Sequence, residues 1–216
     1  MIKIDLHTHS SGSPDGSITL VQYQHALDSG LLDYIAITDH DTITTAVQIQ
    51  KELGQKIIVG QEITTNEGEL IGLFLTTPIK PNLSAIQTVE AIHRQGGLVY
   101  VPHPFETVRK GITKATLDSI ADHVDVIEAH NGRAVFQNKG PKAATWARLN
   151  NKVMAASSDA HGKKGLGATF TQITTAPTAA NLLEQLATGR LTAKHPPLSS
   201  LLYPKLNRLR GKIRSK

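Results

Sequence analysis

The sequence predicts an α/β protein built on a mostly parallel sheet with helical crossovers. Two observations carry that reading. Short β-branched or apolar runs alternate with segments of helical spacing along almost all of the 216 residues, which is the signature of successive βα units. One hairpin signal interrupts the alternation. The same pattern suits a sheet closed as a barrel or one left open and doubly wound.

The strand candidates in chain order are Ile2-Lys3-Ile4-Asp5-Leu6, Tyr34-Ile35-Ala36-Ile37-Thr38, Lys56-Ile57-Ile58-Val59, Leu98-Val99-Tyr100-Val101, Val124-Asp125-Val126-Ile127-Glu128 and Lys152-Val153-Met154-Ala155-Ala156. Each has the length and β-branched content of a buried strand. Between them, Leu20, Tyr23, Leu27 and Leu31 define one helical face. Ile86, Val89, Ile92 and His93 define another, which Gly96-Gly97 stops. Trp146 and Leu149 belong to a third helix, from about Arg133 to Asn150. The hairpin runs from Glu62 to Phe74 and turns at Asn66-Glu67-Gly68.

A chain of this length buries a sizeable core, so positions 1–200 are expected to form one domain, with positions 201–216 a basic tail. A hydrophobic fraction of 39% with 4% aromatic residues describes a core of Ile, Leu, Val and Ala. There are no cysteines, which excludes disulfides and thiolate metal sites and leaves imidazole, carboxylate and water as ligands. Charged residues appear at once after Met1, with no signal-peptide apolar region. No apolar stretch reaches membrane-spanning length. A cytoplasmic location is the default expectation.

The net charge of +5 is unevenly placed. Six of the 23 basic residues fall in positions 205–216, so 17 remain against 18 acidic ones in the rest of the chain. The body is balanced and the tail alone is basic. In that tail Leu202, Leu206, Leu209 and Ile213 recur at helical spacing opposite Arg208, Arg210, Lys212 and Arg214, with Pro204 placed to start a helix. Such a segment could dock on the domain or contact an anionic partner, a membrane surface or nucleic acid.

The chemistry lies at strand ends. Of ten histidines, six follow a predicted strand directly: His7, His9, His40, His103, His130 and His161. In a β/α barrel those ends line one face, where residues far apart in sequence converge. His7 and His9 are two apart on an extended segment and point to the same side, and Asp159 and His161 repeat the device. Carboxylates punctuate the same loops: Asp15, Asp39 and Asp41 around His40, Glu62, Glu128 and Asp159. A single catalytic zinc takes about three protein ligands; this supply fits a multinuclear cluster. His25 and His93 on helices, His123 before its strand and His195 before Pro196-Pro197 are placed for surface or core-edge roles. Glu69 reads as a solvated hairpin residue.

In order, Asp5-Leu6-His7-Thr8-His9, Ser13-Pro14-Asp15-Gly16, Ile37-Thr38-Asp39-His40-Asp41-Thr42, Gly60-Gln61-Glu62, Pro102-His103-Pro104 and Ser158-Asp159-Ala160-His161 resemble the motifs of the PHP (polymerase and histidinol phosphatase) family, over positions 2–174. The resemblance implies a distorted, seven-stranded (β/α)7 TIM-like barrel, two or three divalent ions (manganese, zinc or iron) and phosphoesterase activity. It implies that His7, His9, Glu62 and Asp159 hold one ion, that Glu62 bridges to a second held by His103, and that Asp15, His40 and His161 serve a third. The remaining ligand falls near Glu128-Ala129-His130-Asn131, as either His130 or one of its neighbours. Asp5 and Asp41 are expected to orient imidazoles.

Bound ions would lower the pKa of a metal-bound water and neutralise charge on phosphoryl oxygens. That water and Asp39 are the catalytic candidates. Arg133, Arg109 and Lys110 are the candidates for binding a phosphate. The expected substrate is a phosphorylated small metabolite, a nucleotide or a short oligonucleotide. Competing readings are an amidohydrolase-like enzyme acting on C–N bonds and a non-catalytic metal-stabilised interaction module.

Overall fold

Alternate residues of a strand face opposite sides, and in this chain each side meets a different core. Ile35, Ile37, Ile57, Val59, Val99, Val101 and Ile127 pack outward into one apolar cluster with Tyr23, Leu27, Ile49, Val89, Ile92 and Trp146 from the helices. The residues between them, Ala36, Ile58, Tyr100 and Val126, join Ile4, Leu6, Ile71, Ala155 and Ile173 in a second cluster. The sheet therefore curls around an apolar interior and is wrapped by helices.

The computed structural model describes residues 1–135 and 137–214. Among them nine strands form one sheet: β1 (Ile2–Asp5), β2 (Tyr34–Ile37), β3 (Ile57–Thr65), β4 (Gly68–Leu73), β5 (Leu98–Val101), β6 (Val126–Asn131), β7 (Val153–Ser157), β8 (Thr169–Ile173) and β9 (Arg190–Ala193). Their order is β7-β6-β5-β4-β3-β2-β1-β8-β9. β1, β2 and β3 pair in parallel, as do β5, β6 and β7, while β4 is antiparallel to both β3 and β5. Two reversals restore direction, so six strands end on one face. The helices are α1 (Leu20–Asp28), α2 (Thr44–Leu53), α3 (Ala85–His93), α4 (Lys114–Ser119), α5 (Gly140–Leu149), α6 (Leu182–Ala187) and α7 (Tyr203–Arg214). α3 begins at a capping box, Ser84 Oγ accepting from Gln87 N and Gln87 Oε1 from Ser84 N. No helix among the described residues is long and apolar enough to cross a membrane.

The distorted β/α barrel with an internal hairpin is the fold observed, and its distortions have identifiable places. β8, antiparallel to β1, fills the last position in the wall, and the segment between β7 and β8 contains no helix. β7 and β8 share no ladder. A side chain joins them instead: buried Thr171 Oγ1 accepts from Ala156 N (2.9 Å) and donates to Ala156 O (3.1 Å). The third predicted helix starts at Gly140, seven residues later than expected from Arg133, with Pro141 in its first turn. Arg133 consequently stands in a loop.

The tail is helical, but it docks by an unexpected side. Pro204 and Asn207 are buried, whereas Leu202, Leu206, Leu209 and Ile213 are exposed. The seat is polar and close: Asn207 Nδ2 donates to the carbonyls of Asp15 (2.8 Å) and His161 (3.2 Å). The Tyr203 ring lies where a Cβ on Gly162 would be 2.6 Å away. The side chains of Lys212 and Arg214, and residues 215 and 216, lie outside those described.

Replacing Thr171 with Val removes both bonds to Ala156 in a buried place and is expected to cost about 1–3 kcal/mol. For a chain of this size that lowers Tm by roughly 2–10 °C. Thr171→Ser should recover most of it. Thermal unfolding followed by circular dichroism checks this, and an unchanged Tm in the valine variant would show that closure does not rest on the hydroxyl.

Candidate metal centre

The loops that follow β1 and β7 are joined backbone to backbone: His9 N donates to Ala160 O and Asp159 N to His7 O, both at 2.9 Å. This pairing sets His7 and His9 against Asp159 and His161. His7 Nε2 and His9 Nε2 approach to 3.1 Å, Glu62 Oε2 lies 3.3 and 3.1 Å from them, and Asp159 Oδ1 3.7 and 3.6 Å. The other oxygen of Glu62 meets His103 Nε2 at 3.0 Å. His40 Nδ1 is 3.4 Å from Glu62 Oε2, and Asp15 Oδ2 is 3.6 Å from His40 Nε2 and 3.4 Å from His161 Nε2. His40 is held by a bridge to Glu62, in which Asp41 N donates to Glu62 O. Gly16 permits the Asp15 turn, because a side chain there would collide with the Ser10 carbonyl. Five of the six strand-end histidines thus meet, with Asp15, Glu62 and Asp159.

The donor set fits divalent ions. His7 Nδ1 faces Glu128 Oε1 at 3.1 Å, and a carboxylate there fixes the proton on Nδ1 and leaves Nε2 a lone pair. That lone pair points at two more carboxylate oxygens and at His9. Such a gathering of acceptors requires a proton or a metal cation between them. His9 Nδ1 and His103 Nδ1 are also buried with no hydrogen-bond partner. Among the described residues, four groups have potential ligand atoms mutually within 4.8 Å: His9, Asp15, His40 and His161; His7, Glu62 and His103; His7, His9 and Asp159; His40, Glu62 and Glu69. Nitrogen and oxygen donors without sulfur suit manganese, zinc or iron.

Charges are strongly coupled in the metal-free chain. Burial opposes a charged His7, but Asp159, Glu62 and Glu128 outweigh it and hold its pKa well above the usual range. Burial likewise opposes ionised Asp159, and the charges of Arg133, His7 and Arg109 reverse that, so the carboxyl lies well below normal. His40 rises to about 9, because Glu62, Asp15 and Glu69 overcome its desolvation. His161 goes the other way: burial, His9 and Arg133 push it to about 3 and keep the imidazole neutral.

Supporting residues surround the cluster. Glu128 accepts from Tyr100 Oη (2.9 Å), His103 N (2.6 Å) and Asn131 Nδ2 (2.8 Å) besides meeting His7. Asp5 Oδ1 accepts from His7 N (3.3 Å) and Ser158 N (3.0 Å), so it fixes backbone rather than an imidazole, and its burial raises its pKa to about 7. Asp39 accepts from Ser10 N (2.6 Å) and Ser10 Oγ (2.5 Å), is fully buried and does not line the cavity. It braces the first loop. His103 (φ 30°) and Asp159 (φ 52°) adopt left-handed backbone, a strain commonly concentrated at functional sites.

His130 does not join the centre, which corrects the expectation from its position. The register of β6 against β7 shifts between Glu128 and His130. The inserted residue sends Glu128 and Asn131 inward and turns His130 out to solvent. Glu69, expected to be solvated, is 6% exposed and lies within 4.0 Å of His40 and His103. Burial and the Glu62 charge lift its pKa to about 7. Its place was readable from the hairpin: Thr64 pairs with Glu69 and Glu62 with Ile71, so the two glutamates share a face. His25, His93, His123 and His195 are exposed.

The cluster opens into a cavity of about 430 Å³. Arg133 Nη1 reaches Asp159 Oδ1 (3.4 Å) and His161 Nδ1 (3.2 Å) at its wall. Arg109 also lines it, yet every nitrogen of its guanidinium is engaged, Nε and Nη2 by Glu106 and Nη1 by Asn131 and Asp159 at 2.6 Å each. Lys110 is exposed on the rim.

A family model described as PHP-associated matches residues 139–191, the stretch that carries Asp159 and His161. An uncharacterized protein of Methanocaldococcus jannaschii is 33% identical over 150 residues, covering 63% of this chain and 88% of its own length. Among solved structures, a two-domain protein of Bacteroides vulgatus containing a predicted PHP-like metal-dependent phosphoesterase superposes with a TM-score of 0.70 at 21% identity, covering 96% of this chain and 69% of that one. The lesion-specific endonuclease of Pyrococcus furiosus gives 0.61 at 17% identity, over 88% and 57%. Six ordered motifs, a nearly closed barrel, the family-model match and the solved neighbours agree in supporting a PHP-domain protein.

Proposed function

We propose that the chain is a metal-dependent phosphoesterase, acting on phosphate esters of a small metabolite, a nucleotide or a short oligonucleotide. One observation carries the reading: several ion-holding sets of imidazole and carboxylate share a cavity with guanidinium groups, the pairing that phosphoryl chemistry requires. A centre built only to stabilise an interaction module has no need of the cations. The solved relatives named for phosphoesterase and endonuclease activity favour the same class. Carboxylated lysine, the usual bridge of C–N hydrolases, has no counterpart among the cavity-lining residues, where Lys110 is the one lysine and stands on the rim.

His7, His9, Glu62 and Asp159 would hold one ion, Glu62 and His103 a second, and Asp15, His40 and His161 a third. Bound divalent ions supply an acidified water and neutralise phosphoryl charge. The chain's own groups orient the ester. Arg133 reaches past Asp159 toward the cavity and offers a planar fork to phosphate oxygens. Arg109 fixes the second oxygen of Asp159, which makes it a positioning residue. Lys110 adds charge at the entrance. A cavity of about 430 Å³ accommodates a nucleotide-sized group.

Manganese- or zinc-loaded protein is expected to hydrolyse p-nitrophenyl phosphate, its bis-ester, mononucleotides or short oligonucleotides, and to lose that activity to a chelator. Failure on the whole panel would remove the reading. Asp159→Asn should lower bound metal and turnover together, each about tenfold or more, while His130→Ala leaves both near wild type. Metal analysis beside initial rates decides it, and the opposite ranking would sink the proposed centre.

Manganese uptake should depend on pH through His40. Its metal-free pKa of about 9 means the ring carries a proton at neutral pH, which must leave before the nitrogen can ligate. Affinity should therefore climb as pH rises from 6 toward 9, about tenfold per unit for each proton displaced. Calorimetry in buffers of different ionisation enthalpy counts the released protons. A flat affinity with no proton release would contradict this charge assignment.

A further inference from the structure

We propose that Arg208, carried by α7, is a substrate-positioning residue of this site, a guanidinium that receives a phosphate oxygen of the ester; the proposal rests on the phosphoesterase reading. α7 is attached to the centre itself. Asn207, buried, bonds the carbonyls of Asp15 and His161, two residues of the set that also contains His9 and His40. Tyr203 closes over Gly162 one turn earlier. These contacts fix the rotation of the helix, and Arg208, the next residue, then projects over the cavity that Asp15, His40, Asp159 and His161 line.

Arg208 differs from the other two arginines in what holds it. Arg109 is 14% exposed and fully engaged, and Arg133 is 19% exposed between Asp159 and His161. Arg208 is 62% exposed, and among the described residues one nitrogen, Nη2, is bonded, at 2.6 Å to Asp15 Oδ2. That oxygen also faces His40 and His161. A cation bound by these ligands competes with Arg208 for the same carboxylate, and like charges separate. A long exposed side chain turns away from such a pair at little cost, toward the anion the cavity receives. Arg133 beside His161 and Arg208 beside Asp15 then flank one set of ligands, so an ester bound there meets a guanidinium on either side.

The predicted variants are Arg208→Ala and Arg208→Lys in the full chain, loaded with manganese. Binding of inorganic phosphate, followed by calorimetry, should weaken about tenfold or more in Arg208→Ala and be partly restored in Arg208→Lys. With p-nitrophenyl phosphate, KM should rise by a similar factor while kcat stays within about twofold. Metal content and Tm should match wild type, since Asn207 and Tyr203 keep the helix seated. Wild-type phosphate affinity in Arg208→Ala overturns the proposal and leaves the phosphoesterase reading standing. Loss of metal along with phosphate also overturns it, because Arg208 would then act by holding Asp15. Wild-type protein that neither binds phosphate nor hydrolyses the ester overturns both.

Discussion

Two backbone hydrogen bonds, from His9 N to Ala160 O and from Asp159 N to His7 O, join the first strand's loop to the seventh's, and the ligand geometry follows from them. Residues two apart on an extended segment point the same way. Pairing the two segments in parallel therefore places His7 and His9 on one side and Asp159 and His161 facing them. The carboxylate of Asp5 holds the same seam by accepting from both His7 N and Ser158 N. Asp159 takes up left-handed backbone to stay in register, a conformation that Asp tolerates better than most residues. The sheet beneath supplies rigidity, because one interior register runs from the apolar Ile58 and Val126 to Glu62 and Glu128 at the top.

A cluster of this kind is a stability liability that the rest of the fold must offset. Buried carboxylates and imidazoles lose hydration, and several of their acceptor atoms face one another rather than donors. Two apolar clusters, one inside the barrel and one beneath the helices, provide the compensating burial. Ion binding at the cluster would stabilise the folded chain further by mass action, since these side chains converge only when it is folded.

Much of this was legible in the sequence, for a physical reason. Period-two alternation and strand-end placement are local signals, and they located six strands, the hairpin and eight of the side chains that converge at the cavity. What escaped depended on non-local geometry. His130 occupies the right loop, but a register shift visible only in the pairing of β6 with β7 turns it outward. β8, reading Thr-Phe-Thr-Gln-Ile, is too polar to stand out, and its Thr171 hydroxyl has a purpose only once β7 lies beside it. In α7 the leucine stripe is the strongest helical signal, yet packing uses Pro204 and Asn207, because the available surface offers carbonyl groups and a glycine. Glu69 was within reach, had the hairpin register been counted outward from its turn.

The cavity's charge explains why metal and substrate should be linked. Five carboxylates line it against four guanidinium and ammonium groups and the protonated His40, leaving the metal-free wall about neutral at pH 7. Such a wall offers a phosphate dianion little net attraction. Two divalent ions that displace the His40 proton would carry the same wall to about plus three, and they would do so by drawing on the carboxylates that otherwise hold Arg133 and Arg208. Ion binding would thus add positive charge and free guanidinium groups in one step. Thermodynamic reciprocity then requires that phosphate strengthen ion binding by the same factor. Arg133 and Arg208 are tied to Asp159 and Asp15, and under the proposed function these same ties would make their availability to substrate conditional on the ions.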